Sequence, residues 1–178
     1  LHGKSLRAPI APVPPRPDDV ALVMTTSGTT ARPKVVPLTH AEMCLPGGRS
    51  TLGADDRFLC ISPLHTSSGI GNGLTVPLRA GASTVLCPGF DATRFFEWLD
   101  TFRPTCFSAS PTVHATIIDE ILARRRPLPT SLRFVRSSSS GMAAALQEQL
   151  ESVLGVPVIQ GYGSTEAGLI AQDSLLPG

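Results

Sequence analysis

Short apolar runs recur along the chain at 20–23, 57–62, 83–87, 105–108, 133–137 and 156–160, and mixed polar and apolar stretches separate them. Runs this short, bounded by Gly, Pro, Ser and Asp, predict strands. Between them, 69–80, 91–103, 111–126 and 143–154 carry helix-like spacing, with Asp91 and Pro111 as starting residues of two helices. A further short strand is predicted at Val35-Val36-Pro37-Leu38, and Thr39 is placed as the N-cap of a helical segment running to about Leu52. Strands alternating with helices, and uninterrupted strand cores such as Phe134-Val135, predict an α/β protein with a mainly parallel, doubly wound sheet built from right-handed βαβ units.

Residues 1–19 are proline-rich and without periodicity, so they read as an extended lead-in, with the folded part expected over 20–178. A domain that begins this way is expected to be a piece of a longer protein.

Ligands of such sheets bind at the carboxyl ends of the strands. The polar, unusual stretches of this chain are expected there: Met24 to Lys34, Ser62 to Gly69, Ser137 to Gly141, and Gly161 to Gly168. The first follows the run Val20-Ala21-Leu22-Val23 and reads as a strand opening into a loop of hydroxyls, one glycine and a lysine. Gly28 lets the backbone wrap closely around an anion, successive N–H groups and hydroxyls can donate to phosphate oxygens, and Lys34 adds a mobile positive charge. A Ser/Thr-rich surface turn is the plain alternative.

Several chemistries are excluded. A mononucleotide P-loop needs a glycine before its lysine and Ser/Thr after it, where this chain has Pro33 and Val35. Ser27, Ser139 and Ser164 all lack the flanking glycines of a serine-nucleophile elbow. The run Gly69-Ile70-Gly71-Asn72-Gly73 puts Leu74 where a dinucleotide loop has its last glycine, and is better read as letting a helix approach the sheet closely. The four cysteines, at 44, 60, 87 and 106, make no CxxC pair and no metal-like set with His2, His40, His65 or His114. Cys60, Cys87 and Cys106 lie in or beside apolar runs and read as reduced core thiols.

Composition adds little beyond this. Apolar content of 42% and a net charge of +1 describe an ordinary globule, and the scattered basic residues call for neither nucleic acid nor an anionic membrane. The one basic cluster, Arg124-Arg125-Arg126, reads as the solvated end of a helix. No apolar run approaches the ~18 residues of a membrane span, so a cytoplasmic setting is expected.

The stretch Thr26-Ser27-Gly28-Thr29-Thr30-Ala31-Arg32-Pro33-Lys34-Val35 is similar to the phosphate-binding signature of the adenylate-forming superfamily, which comprises acyl-CoA synthetases, peptide-synthetase adenylation domains and luciferases. That signature reads threonine-serine-glycine-threonine-threonine-glycine-x-proline-lysine-glycine, and here only its last two glycines differ, as Ala31 and Val35. A second stretch, Gly161-Tyr162-Gly163-Ser164-Thr165-Glu166, resembles the motif whose aromatic stacks on adenine, whose threonine contacts the nucleotide phosphate and whose glutamate helps hold Mg²⁺. Pro63-Leu64-His65-Thr66-Ser67-Ser68-Gly69 resembles the stretch that shapes the acyl pocket, with Thr66 where the family has histidine. Arg136-Ser137-Ser138-Ser139-Ser140-Gly141-Met142 resembles the stretch bordering adenine and substrate.

The resemblance covers nearly the whole chain and is nearest to small-acid CoA ligases of the oxalate–CoA ligase type. It implies part of the large N-terminal domain of an enzyme that joins a small carboxylate to ATP as an acyl-adenylate and then passes the acyl group to coenzyme A. The implied nucleotide site comprises Thr26, Ser27, Gly28, Thr29, Thr30, Lys34, Ser138, Ser139, Ser140, Tyr162, Gly163 and Thr165. Lys34, Thr165 and Glu166 are the implied catalytic residues, Glu166 the implied Mg²⁺ ligand, and His65, Thr66 and Gly69 the implied pocket residues. It further implies that the ribose-binding aspartate, the hinge and a C-terminal domain with its adenylation lysine lie beyond Gly178, so that this chain alone turns over poorly. A peptide-synthetase adenylation domain and a non-catalytic nucleotide-binding module remain the alternatives.

Overall fold

The computed structural model describes residues 13–26, 33–44, 51–124 and 131–173. Its centre is a six-stranded sheet in the order β4-β3-β5-β6-β7-β8, with β3 Arg57–Cys60, β4 Ser83–Leu86, β5 Cys106–Ala109, β6 Phe134–Ser137, β7 Val158–Ser164 and β8 Gly168–Gln172. Neighbours from β4 through β7 are parallel, and β8 closes one edge antiparallel to β7. All four residues of β5 and of β6 are buried, as expected of strands covered on both faces.

One face packs beneath helices α3 Ala92–Phe102, α4 Pro111–Arg124 and α5 Ala144–Leu154, through a core that includes Leu59, Phe95, Leu99, Phe107, Ile117, Val135 and Leu150. Phe95 sits edge-on to both Phe96 and Phe107, with ring centroids 5.3 and 5.2 Å away. The other face carries Phe58, Cys60, Cys106, Phe134 and Ile159, covered by Leu52, Val76 and Ala80. Val76 opens α2, Val76–Arg79, which continues a π-helix spanning Ser68–Thr75. That π-helix lies tight on β3: a Cβ added at Gly73 would stand 2.2 Å from Cys60 Sγ, so the glycine here does serve close approach. Asp91 caps α3 by accepting from the N–H groups of Thr93 and Arg94, both at 2.9 Å.

Three elements depart from the sequence reading. The strand leading into the hydroxyl loop, β1 Val20–Thr26, does not join the parallel sheet. It pairs antiparallel with β2 Lys34–Thr39 in a separate two-stranded sheet, with Thr26 opposite Lys34. The connection between them is shorter than the dozen or so residues a parallel crossover requires, which leaves a hairpin as the available solution. Second, Gly161 to Gly168 is a hairpin rather than an open loop, because β7 runs on through Ser164 and turns into β8. Third, the helix after Thr39 is α1, described over His40–Cys44; 45–50 lie outside the described residues, and residues 51 and 52, where the segment was expected to end, are not helical. Thr39 does cap it: Thr39 Oγ1 accepts from the Glu42 N–H at 3.2 Å, and Glu42 accepts the Thr39 N–H at 2.7 Å. The preceding residues are tied to the same helix start, since the Pro17 and Asp19 carbonyls accept from the N–H groups of Ala41 and His40.

Candidate acid and nucleotide site

The carboxyl ends of β3, β5, β6 and β7 deliver four segments to one end of the sheet. After β3 comes Pro63 to Gly69, which folds as a tight turn into the π-helix. Thr66 organises it: its hydroxyl donates to the Pro63 carbonyl at 2.7 Å and accepts from the Gly69 N–H at 3.0 Å. With its hydroxyl so engaged, Thr66 shapes the loop. A Cβ at Gly69 would stand 2.0 Å from the Pro63 carbonyl oxygen, so this glycine too is required by packing. His65 and Leu64 are exposed on the outside of the turn. A π-helix is a rare form found mostly at functional sites, and this one begins where the predicted pocket ends.

The serine run after β6 divides in two. Ser138 is buried, and its hydroxyl lies 3.2 Å from that of Ser68 and 3.2 Å from that of Ser108 on β5. This three-hydroxyl chain joins the pocket loop to the serine run across 70 positions of sequence. Ser139 and Ser140 are exposed, and Ser139 takes the left-handed φ of 79° that non-glycine residues rarely adopt. The end of the run is tied to β7 by Gln160, which accepts the Met142 N–H at 3.2 Å and donates to Gln147 at 2.7 Å.

Beyond Gln160 the β7–β8 hairpin projects Tyr162, whose side of the strand is open: the residue is 70% exposed. Gly163 is an exposed strand residue, Thr165 is half-buried, and Glu166 is exposed in the turn. Ser164 fixes that turn by accepting the Ala167 N–H at 3.1 Å. No cluster of three His, Cys, Asp or Glu side chains occurs among the described residues. One exposed carboxylate beside a threonine hydroxyl does suit Mg²⁺, which takes one or two carboxylates and fills its other positions with phosphate oxygens and water.

In the first motif, Thr26 is half-buried and Lys34 exposed at the open end of the β1–β2 hairpin. Ser27, Gly28, Thr29 and Thr30 lie outside the described residues. Among the described residues no hydrogen bond joins this hairpin to Ser68, Ser138 or the β7–β8 hairpin.

Burial governs the titratable groups nearby. His114 on α4 is fully buried, its Nε2–H donating to the Arg136 carbonyl at 3.2 Å, and burial pulls its pKa down to about 4. The Cys106 thiol is pushed up to about 12 and that of Cys87 to about 11 by burial, and Cys60 is raised for the same reason. These are inert thiols, and all four cysteines are free. Arg136 on β6 is 3% exposed, and burial lowers its pKa. Ser108 and Gln160 escaped the sequence reading because nothing local marks a hydroxyl or amide that acts across strands.

Comparison with known proteins identifies the family and the fold. Residues 2–177 match the AMP-binding enzyme family. The chain is 35% identical over 167 residues to oxalate–CoA ligase of Arabidopsis thaliana, covering 90% of this chain and 32% of that protein. It is 34% identical over 159 residues to sulfoacetate–CoA ligase of Cupriavidus necator, covering 86% and 30%. Among solved structures, the anthranilate CoA ligase AuaEII in complex with anthranoyl-AMP superposes with a TM-score of 0.80 at 29% identity, covering 89% of this chain and 32% of that one. The chain therefore spans about a third of the length of the relatives it matches. It belongs to the AMP-binding, adenylate-forming enzyme family.

Proposed function

We propose that this chain is the acid- and nucleotide-binding part of an acid–thiol ligase that makes a CoA thioester of a small carboxylic acid. A carboxylate oxygen attacks the α-phosphorus of ATP, the bond to the β-phosphate breaks, and pyrophosphate leaves. A thiol, that of CoA, then attacks the acyl carbon of the mixed anhydride and expels AMP.

In this reading Tyr162 offers its open face to adenine, with Ser139, Ser140 and Gly163 bordering the base. Thr165 donates to the nucleotide phosphate. Lys34, Thr26 and the hydroxyls and N–H groups of Ser27, Gly28, Thr29 and Thr30 hold the leaving pyrophosphate and offset its growing charge. Glu166 would hold Mg²⁺, which supplies charge neutralisation on the phosphates. Ser138 acts from behind, since its hydroxyl is engaged with Ser68 and Ser108. The pocket loop, with His65 and Thr66 in place of a large apolar set, favours a small polar acid. Two of the named relatives act on such acids, oxalate and sulfoacetate, and the third on the aromatic acid anthranilate. The free cysteines suit a reducing, cytoplasmic setting.

The observation that carries the reading is the exposed Tyr162-Gly163-Ser164-Thr165-Glu166 hairpin at the carboxyl end of the parallel sheet, in a chain of this family. The test is acid-dependent pyrophosphate release by the full-length protein that carries the chain, with MgATP and CoA. Lys34→Ala is expected to cut the rate at least 100-fold with the fold intact. Turnover unchanged by that substitution would overturn the assignment.

A further inference from the structure

Among the described residues, the Arg136 guanidinium is a buried cation without a carboxylate partner. It lies on the sheet face that carries Phe134 and Ile159, and only 3% of the residue is exposed. Among the described residues its side chain hydrogen-bonds only through Nη2, to Thr51 Oγ1 at 3.1 Å, and its Nε–H is buried without a partner. A buried cation calls for a counterion, because burial removes its water and nothing neutral replaces that fully. None is provided. All fourteen Asp and Glu residues lie in the described segments, and Asp56, the buried one, is already held by Arg133, Thr105 and Gly53. The nearby Cys106 thiol stays protonated up to about pH 12 and brings no negative charge.

The surroundings lead from this cation to the pocket. Ser108 is the register partner of Arg136 on β5, so both side chains leave the same face. From Ser108 the hydroxyl chain passes through Ser138 to half-buried Ser68, which follows the Pro63–Ser67 turn. Three hydroxyls and the Arg136 guanidinium thus share one otherwise apolar face, and the guanidinium has no carboxylate partner among the described residues.

We infer that Arg136 is a specificity-determining residue that receives a second anionic group, a carboxylate or sulfonate, at the far end of the acid substrate. This rests on the proposed ligase reading and narrows it to doubly charged small acids. Guanidinium is suited to the task, presenting parallel N–H donors that match a carboxylate or sulfonate. A singly charged acid of the same length would leave it unpaired, which is how a buried polar group rejects the wrong ligand.

The test is calorimetric binding and pyrophosphate release with malonate against propionate, and sulfoacetate against acetate, using the full-length protein and its Arg136→Met and Arg136→Lys variants. MgATP affinity serves as the control for folding. Wild type is expected to favour the dianion of each pair at least 30-fold. Arg136→Met should lose that preference, its affinity for the dianion falling far more than its affinity for the monoanion, and Arg136→Lys should keep part of it. Equal use of both acids by wild type, a preference that survives in Arg136→Met, or an equal loss for every acid would overturn the inference while leaving the ligase reading intact. Dianion-selective binding with no pyrophosphate release from any acid would instead refute the ligase reading and keep Arg136 as an anion site.

Discussion

The two ends of the parallel sheet are built to opposite rules. At the amino end, the residues just before β3, β5 and β6 are Asp56, Thr105 and Arg133, and they satisfy one another. Arg133 Nη1 lies 2.5 and 2.6 Å from the two Asp56 oxygens, Thr105 donates to Asp56 at 2.6 Å, and the Gly53 N–H donates to it at 2.8 Å. At the carboxyl end, Ser137 Oγ and Arg136 Nε are buried without partners, Ser139 holds a positive φ, and Tyr162 stands open. The amino end thus centres on one carboxylate with three donors, although Ser131 Oγ nearby is buried without a partner, whereas the carboxyl end leaves a buried guanidinium nitrogen and a serine hydroxyl without one.

The largest test of that division is Asp56→Ala. Removing the carboxylate takes a hydrogen-bond partner from Thr105, the Gly53 N–H and the half-exposed Arg133 at once, and should cost about 2–3 kcal/mol in urea denaturation, with nucleotide affinity of the folded protein unchanged. A loss below about 0.5 kcal/mol would mean the amino end is no brace.

Acid should work on the same frame from two sides. His114 has its folded pKa lowered to about 4 from 6.5, so the unfolded chain binds the extra proton first as pH falls. Its contribution is fully present above pH 6.5 and is lost towards pH 4, an expected fall of about 3 kcal/mol. His114→Gln should flatten that window. Asp56 is held below the ordinary carboxylate range against the opposing effect of burial, chiefly by Arg133, then by Thr105 and Gly53. Its contribution is present above the unfolded carboxylate pKa and is lost as pH falls through the lower folded value. Stability curves measured from pH 7 to 3 should show both steps, and a flat curve for wild type would contradict both assignments.

A smaller effect is expected where the π-helix meets β3. Gly73→Ala drives a methyl against Cys60 Sγ and should cost about 2 kcal/mol. Adding Cys60→Ala should return most of it in a double-mutant cycle, and additive losses would show that this contact is not the cause.

What the sequence disclosed follows the same division. The strands of the parallel sheet were legible because β3, β5 and β6 are apolar on both faces, and α3 because Asp91 caps it through local contacts. The hydroxyl loop was legible as chemistry but not as a hairpin, since its two strands pair outside the main sheet. β8 was missed because its apolar run, Leu169-Ile170-Ala171, is only three residues long and follows closely on the Gly161 to Glu166 motif. Asp56 and Arg133 sit between apolar runs and look solvated, and only the alignment of three strand starts joins them across 77 positions. Ser108 was hidden in the same way, and so was the hydroxyl chain by which it ties Ser68 to Ser138, although both of those serines lie in stretches the sequence singled out.

The smallest expected change in stability is at Tyr162. Being 70% exposed, it should tolerate Tyr162→Ala within about 0.5 kcal/mol, yet lose at least tenfold in ATP affinity, as removal of a stacking aromatic costs about 1–3 kcal/mol. That contrast leads to the most direct measurement of the central claim, calorimetric titration of the folded 178-residue chain with ATP and Mg²⁺ beside Tyr162→Ala. A weak, saturable signal that Tyr162→Ala abolishes is the predicted result. A folded sample that takes up no nucleotide, or that binds it equally well without Tyr162, would contradict the assignment of the carboxyl end as the nucleotide site.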